Sequence, residues 1–123
     1  MTVDLSTLVP MTAKPHSPDA VVPVKELEGM KINQVVIGSC TNSSFADMMK
    51  AAKILKGRKV AEHVSLVIAP GSSSILAMLA KNGALGDMVQ AGARILECGC
   101  GPCIGMGQAP LSKGCLLYTS DAA

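Results

Sequence analysis

The sequence predicts an α/β fold, namely a three-layer α/β/α arrangement around a short, mostly parallel sheet, in a domain that is incomplete. Three stretches of aliphatic and β-branched residues have the composition of buried strands, and they lie at residues 34–37, 64–69 and 93–97. The segments between them show the periodicity of amphipathic helices. Because strands and helices alternate with short connections, the strands should be parallel and their crossovers right-handed.

The helices are predicted from capping signals on either side of the second strand. The first helix should begin at Ser44, because Ser44 and Asp47 match a capping box. For the second helix, the serines at residues 72–74 offer N-caps and the Asn-Gly pair at residues 82–83 offers a stop. A shorter helix is expected around residues 87–90. Each of the two longer helices therefore has a local signal for its start.

The chain is predicted to divide into three parts. Residues 1–31 contain four prolines, which fix φ and remove backbone donors, so this part should be an extended Pro-rich arm. Residues 32–110 should form the α/β domain fragment. Residues 111–123 continue neither periodicity, so we expect a truncated or non-native tail without a further strand.

Composition and charge limit the class of protein. The formal net charge of +2 is too small, and the 11 basic residues too scattered, to indicate a nucleic-acid partner. No stretch reaches the roughly 18–20 apolar residues that a membrane-spanning helix needs. The N-terminus has neither a basic leader nor the apolar core of a signal peptide. The sequence therefore predicts a soluble, cytoplasmic protein with no membrane contact.

The most informative residues are cysteines that follow two distant predicted strands. Cys40 follows the first strand, and Cys98, Cys100 and Cys103 follow the third. Because the carboxyl ends of parallel strands lie along one edge of a sheet, these thiols should approach one another. Thiolates are strong ligands for iron and zinc, and one plus two of them would suit an iron–sulfur cluster with one iron left free.

Three other interpretations compete for these cysteines. An inert buried thiol is common for a single cysteine, but three within six residues make that explanation poor. Structural zinc needs four ligands, and Cys98 is separated from Cys100 by only one residue, which is a poor spacing for tetrahedral coordination. The tetrapeptide Cys100-Gly101-Pro102-Cys103 also occurs at the active site of thioredoxins, so a thiol–disulfide redox module is the main alternative. That alternative leaves Cys40 without a role.

Two segments of the chain resemble the cluster-binding signatures of the aconitase superfamily of hydro-lyases. They are Gly-Ser-Cys-Thr-Asn-Ser-Ser at residues 38–44 and Glu-Cys-Gly-Cys-Gly-Pro-Cys-Ile-Gly-Met-Gly-Gln-Ala-Pro at residues 97–110. The resemblance covers about residues 3–113. It is closer to aconitate hydratases than to the isopropylmalate dehydratase large subunit, which typically has Cys-Ser-Met-Cys where this chain has Cys-Gly-Pro-Cys.

The resemblance implies a ligand set and a cofactor. It assigns Cys40, Cys100 and Cys103 as the three ligands of a [4Fe-4S] cluster, and it leaves Cys98 and Cys115 outside the pattern. Asn42 and Ser43 would either hydrogen-bond to the cluster or cap the next helix.

The resemblance also implies an activity for a longer parent protein. That activity is the reversible dehydration of citrate and isocitrate, tricarboxylate substrates, through aconitate. In such enzymes the catalytic serine base and the substrate-binding arginines lie in segments absent from this chain, whose missing domains would be its partners. The 123-residue chain alone is therefore expected to be inactive, with none of the catalytic residues.

Overall fold

The computed structural model describes residues 1–15, 17–106 and 117–119, and for Cys103 and residues 117–119 it describes the backbone only. The chain forms two compact units, the first comprising residues 1–31 and the second beginning at Ile32.

The first unit contains a small antiparallel hairpin of two strands, β1 (Met11–Ala13) and β2 (Val21–Pro23). Single 3-10 turns at Leu5–Thr7 and Val24–Leu27 flank it. This differs from the irregular arm that the prolines predict. The prolines lie before β1, in the connection and at the last position of β2, so none removes a donor from the middle of a strand.

The second unit is a parallel α/β structure. Its sheet has four strands in the order β5-β4-β3-β6, and every described pairing within it is parallel. In chain order its elements are β3 (Gln34–Gly38), α1 (Phe45–Leu55), β4 (Ser65–Ala69), α2 (Ser73–Lys81), α3 (Ala84–Gln90), β5 (Arg94–Ile95) and β6 (Leu117–Thr119). The predicted α/β class with a parallel sheet is confirmed.

Serine hydroxyls begin both of the longer helices. The Ser44 hydroxyl accepts a hydrogen bond from the Asp47 amide at 3.2 Å and donates one to the Asp47 carboxylate at 2.6 Å. The Ser72 hydroxyl accepts from the Ile75 amide at 3.3 Å and so caps α2. The two bonds donated by amides satisfy backbone groups that the helices themselves leave unpaired. The predicted cap at Ser44 is therefore confirmed.

The core of the second unit lies between the sheet and the three helices. Met48 of α1, Leu79 of α2 and Met88 of α3 have no exposed surface, and they pack in one cluster with Leu66 and Ile68 of β4. Since all three helices contribute to this cluster, they form one layer on one face of the sheet. The core fixes the direction of β4, and with it the edge at which the cysteine-bearing loops begin.

The opposite face of the sheet is also buried. Val36 of β3 and Val67 of β4 point away from the helix layer, and they are only 2% and 0% exposed. Burial on both faces is the usual situation of parallel strands, and it explains their unbroken apolar composition.

Two strands differ from the sequence-based expectation. β5 has two residues where five were predicted, because the chain turns towards the cysteines soon after Ile95. β6 pairs with β3, so the expectation of no strand after residue 103 is wrong. Most of the predicted tail, residues 111–116 and 120–123, lies outside the described residues. In the described part of the chain, no helix has the length and apolar character needed to cross a membrane.

Candidate metal centre

The first cysteine loop, residues 38–43, begins where β3 and β4 approach most closely. Gly38 has φ +124°, and a Cβ atom there would overlap the carbonyl oxygen of Ala69, its partner in β4. The next amide, that of Ser39, donates to the same Ala69 carbonyl at 3.0 Å. Glycine at position 38 is required both by its conformation and by this close approach.

The chain turns at Ser39, immediately before Cys40. It has φ +79°, which is unusual for a residue with a Cβ atom, and it is only 1% exposed. The buried hydroxyl of Ser43 donates a hydrogen bond to the Ser39 carbonyl. The loop thus closes on itself, and Cys40 is left exposed at its outer side.

The second cysteine loop, residues 98–103, follows β5. The Leu96 amide continues the ladder by donating to the Ile68 carbonyl at 2.8 Å, after which the chain leaves the sheet. A single 3-10 turn at Pro102–Ile104 ends the loop, and the Ile104 amide donates to the Gly101 carbonyl at 3.1 Å. Cys98 and Cys100 are both exposed free thiols.

The two loops bring a pair of thiols together. The Sγ atoms of Cys40 and Cys100 are 3.7 Å apart, although the residues are separated by 60 positions in the chain. A disulfide bond is about 2.0 Å long, so this is a contact between two free thiols. Hydrogen bonds lower the pKa of the Cys40 thiol, first that with the Thr41 hydroxyl at 3.6 Å and then that with Cys100. A lowered pKa favours the thiolate, the form that binds metals.

A groove of about 310 Å³ is lined in part by Cys100. Its lining residues are Ala69, Leu96, Glu97, Gly99, Cys100, Gly101, Pro102 and Met106. Neither Gly99 nor Gly101 has another atom within 4 Å of the position of a Cβ. Two exposed, soft sulfur donors next to a groove with unobstructed glycines fit a thiolate-bound inorganic cluster.

The structure places the predicted ligands as follows. Cys40 and Cys100 meet, the backbone of Cys103 lies in the 3-10 turn, and its side chain lies outside the described part of the chain. Among the described side chains, no group of three or more His, Cys, Asp or Glu residues forms a metal site. Cys98 is exposed, and Cys115 lies outside the described residues.

One residue has a different partner from either of the two that were expected. Ser43 was expected to bond to a cluster or to cap α1, whereas its hydroxyl bonds to the Ser39 carbonyl and Ser44 caps α1. Gly71 after β4 packs against Ser43, a contact that sequence reasoning missed. The only signal in the sequence was the Pro70-Gly71 pair, which predicts a turn without indicating its neighbour.

Comparison with known proteins gives a family match over most of the chain. The model of the aconitase family (aconitate hydratase) matches residues 25–121. Similar curated proteins include "3-isopropylmalate dehydratase large subunit 2" of Archaeoglobus fulgidus, which is 45% identical over 112 residues, 91% of this chain and 27% of that protein. "Methanogen homoaconitase large subunit" of Methanocaldococcus jannaschii is 43% identical over 120 residues, 96% of this chain and 29% of that protein.

A third relative, "3-isopropylmalate dehydratase large subunit" of Thermococcus kodakarensis, is 50% identical over 103 residues, 84% of this chain and 27% of that protein. The chain thus spans less than a third of the length of these relatives. Their names describe dehydratases and homoaconitases, which gives no support to the thiol–disulfide alternative. A particular closeness to aconitate hydratases within the family stays a prediction. By its family match and these relatives, the chain belongs to the aconitase family.

Proposed function

We propose that this chain is the part of an aconitase-type hydro-lyase that binds a [4Fe-4S] cluster. The observation that carries the proposal is the 3.7 Å contact between the exposed thiols of Cys40 and Cys100. The two residues come from loops at the ends of different parallel strands, which is where open α/β sheets place their ligands. The family match over residues 25–121 supports the same proposal.

The residues that hold the cluster in this proposal are Cys40, Cys100 and Cys103. When bound through three thiolates, such a cluster supplies one open iron that acts as a Lewis acid towards a hydroxyl and a carboxylate of a substrate. The chain's own contribution is to present the sulfur atoms. The hydrogen bond with Thr41 lowers the pKa of Cys40 and so favours its ligating form, and the exposure of Cys40 and Cys100 leaves both residues accessible.

The activity belongs in this proposal to a longer protein. The relatives are more than three times as long as the matched segment, and their names call them large subunits, which favours completion of the site by polypeptide outside this chain. A catalytic base and a carboxylate-binding clamp would come from there. The 123-residue chain alone should therefore bind a cluster without turning over substrate.

For the substrate we propose citrate and isocitrate, which the longer protein would interconvert through aconitate. This choice is supported by Cys100-Gly101-Pro102-Cys103, which resembles the aconitate hydratase form of the motif. A second candidate is 3-isopropylmalate or homoaconitate, which the names of the similar proteins favour. All of these are small polycarboxylates, so the same open iron would serve either candidate.

Anaerobic reconstitution with iron and sulfide tests cluster binding. The chain should acquire the broad visible absorption of a cluster, and Cys40→Ser and Cys100→Ser should each lower cluster affinity by more than the roughly 10- to 100-fold that loss of an outer-shell partner costs. Cys98→Ser is the matched control and should retain the cluster. Indifference to Cys40→Ser, together with reduction of insulin disulfides by the chain, would favour the thiol–disulfide alternative.

The substrate is tested on the longer protein that contains this segment. Purified anaerobically, it should convert citrate to isocitrate faster than it dehydrates 3-isopropylmalate, measured as kcat/KM for each. The opposite preference would assign the chain to the second candidate. The isolated chain, loaded with cluster, serves as the control and should convert neither.

A further inference from the structure

We propose that Ser43 and Gly71 are positioning residues, which act through Ser39 to hold the Cys40 thiol against Cys100. Neither residue touches a thiol in the described contacts. Their influence passes through the backbone of the first cysteine loop. The part of this inference that concerns cluster binding rests on the proposed function, whereas the part that concerns the thiol–thiol contact does not.

The Ser43 hydroxyl forms its hydrogen bond within the first cysteine loop. Ser43 is only 2% exposed, and its hydroxyl donates to the Ser39 carbonyl four residues earlier in the chain. The helix that follows does not need this hydroxyl, because Ser44 caps α1. A buried hydroxyl is costly unless it is hydrogen-bonded, so this bond ties the end of the loop to its beginning.

This hydrogen bond supports an unusual backbone conformation at Ser39. Ser39 has φ +79°, a left-handed conformation that residues with a Cβ atom rarely adopt. Its amide is bonded to the Ala69 carbonyl at 3.0 Å, and its carbonyl is bonded to the Ser43 hydroxyl. Bonds on both sides hold the residue in this conformation, and the peptide that accepts from Ser43 leads directly into Cys40.

The loop that follows β4 approaches Ser43 closely at Gly71. A Cβ atom on Gly71 would lie 2.7 Å from the Ser43 hydroxyl and 3.1 Å from the Ser43 carbonyl. Unlike Gly38, Gly71 does not have a left-handed φ, so glycine is required here for space alone. Because Gly71 has no side chain, the β4 loop can close on Ser43. This close approach restricts the Ser43 hydroxyl to its bond with Ser39.

These contacts matter for the Cys40 thiol, which is not buried. Cys40 is exposed, and its thiol contacts Thr41 and Cys100, themselves exposed, and the side chain of the preceding Ser39. Packing therefore does little to place its sulfur, and the backbone at Ser39 sets the direction of the side chain. Loosening Ser43 or displacing it from Gly71 should separate the Cys40 and Cys100 sulfurs.

The experiment measures how readily these sulfurs meet. Replacing Cys98, Cys103 and Cys115 by serine leaves one pair, which diamide oxidises to a disulfide at a rate that reports their approach. Ser43→Ala removes the hydroxyl with little change in volume and should slow this rate by roughly three- to tenfold, the factor that one buried hydrogen bond represents.

Gly71→Ala should also slow the rate, and the double variant decides whether the two residues act in one chain of contacts. If Gly71 acts through the Ser43 hydroxyl, Ser43→Ala/Gly71→Ala should be no slower than the slower single variant. Gly86→Ala and Ser73→Ala are the matched controls, since Gly86 has no atom within 4 Å of a Cβ position and Ser73 is exposed. Both should oxidise at the parent rate.

Two results would overturn the inference. One is an unchanged rate in Ser43→Ala at temperatures where its melting curve shows it folded, and this result decides even if Gly71→Ala fails to fold. The other is an additive effect in the double variant. Cluster uptake by Ser43→Ala, measured as iron retained per chain with all cysteines restored, should fall with the oxidation rate. If no variant or parent chain takes up a cluster, the proposed function fails, while the oxidation rates still decide the positioning role.

Discussion

The two cysteine loops leave the same edge of the sheet but are built in opposite ways. The first loop is closed by hydrogen bonds, since the Ser43 hydroxyl donates to the Ser39 carbonyl and the Ser39 amide donates to the Ala69 carbonyl. Ser39 and Ser43 are also nearly fully buried. The second loop is open, since Cys98 and Cys100 are exposed and its glycines meet no other atom. The 3.7 Å thiol contact therefore joins a loop with a buried hydrogen bond to a loop whose cysteines and glycines are less enclosed.

This difference suggests how one site could accept a bulky inorganic group. A fixed loop defines where the group must sit, and an open loop can move to accommodate it at little cost in packing. In our proposal the single ligand, Cys40, comes from the fixed loop. The paired ligands, Cys100 and Cys103, come from the open one.

The largest expected difference between the loops concerns their glycines. Gly38→Ala would force a Cβ atom into the Ala69 carbonyl at φ +124°, and strain plus overpacking should lower the free energy of unfolding by about 2–6 kcal/mol. Gly101→Ala adds a Cβ that meets no other atom within 4 Å, so it lacks the overpacking contribution of about 1–3 kcal/mol and should cost less. Urea denaturation of both variants measures the contrast, and equal losses would contradict it.

A smaller effect is expected where the first loop joins α1. Ser44→Ala removes the N-cap bond to the Asp47 amide and should lower the free energy of unfolding by about 1 kcal/mol. The 3-10 turn of the second loop has no side-chain cap, so it offers no equivalent hydroxyl to remove. Ser73→Ala is the control, and a loss as large as that of Ser44→Ala would mean that the cap is not what matters.

The smallest effect should appear at a single exposed thiol. The hydrogen bond with Thr41 is the main cause of the lowered pKa of Cys40, so Thr41→Val should raise that pKa towards its ordinary value. Less thiolate would then be present at pH 7, and alkylation of Cys40 by iodoacetamide should slow, as followed by mass spectrometry of its peptide. Cys98 in the same sample is the internal control. Equal labelling of Cys40 before and after the substitution would show that Thr41 does not tune it.

Much of the second unit could be predicted from local patterns. The apolar runs of β3 and β4 and the cap at Ser44 depend on neighbouring residues, and local interactions of this kind are visible in a sequence. β6 could not be predicted, because its three residues become a strand only by pairing with β3. The hairpin of the first unit was missed because its two short strands also depend on pairing with each other. In a sequence, prolines at the ends of strands cannot be told apart from prolines in irregular structure.

The candidate site, like the fold, could be predicted only in part. The cysteines, their positions after predicted strands and the resemblance of their motifs were determined by the sequence alone, and they are enough to propose Cys40, Cys100 and Cys103 as ligands. Tertiary structure alone decided which of the expected thiols are in contact, namely Cys40 and Cys100, and that the Ser43 hydroxyl bonds to Ser39 rather than capping a helix. The physical reason is that these contacts depend on the left-handed turn at Ser39 and on the approach of Gly71 from another strand. Both follow from packing between segments that are distant along the chain.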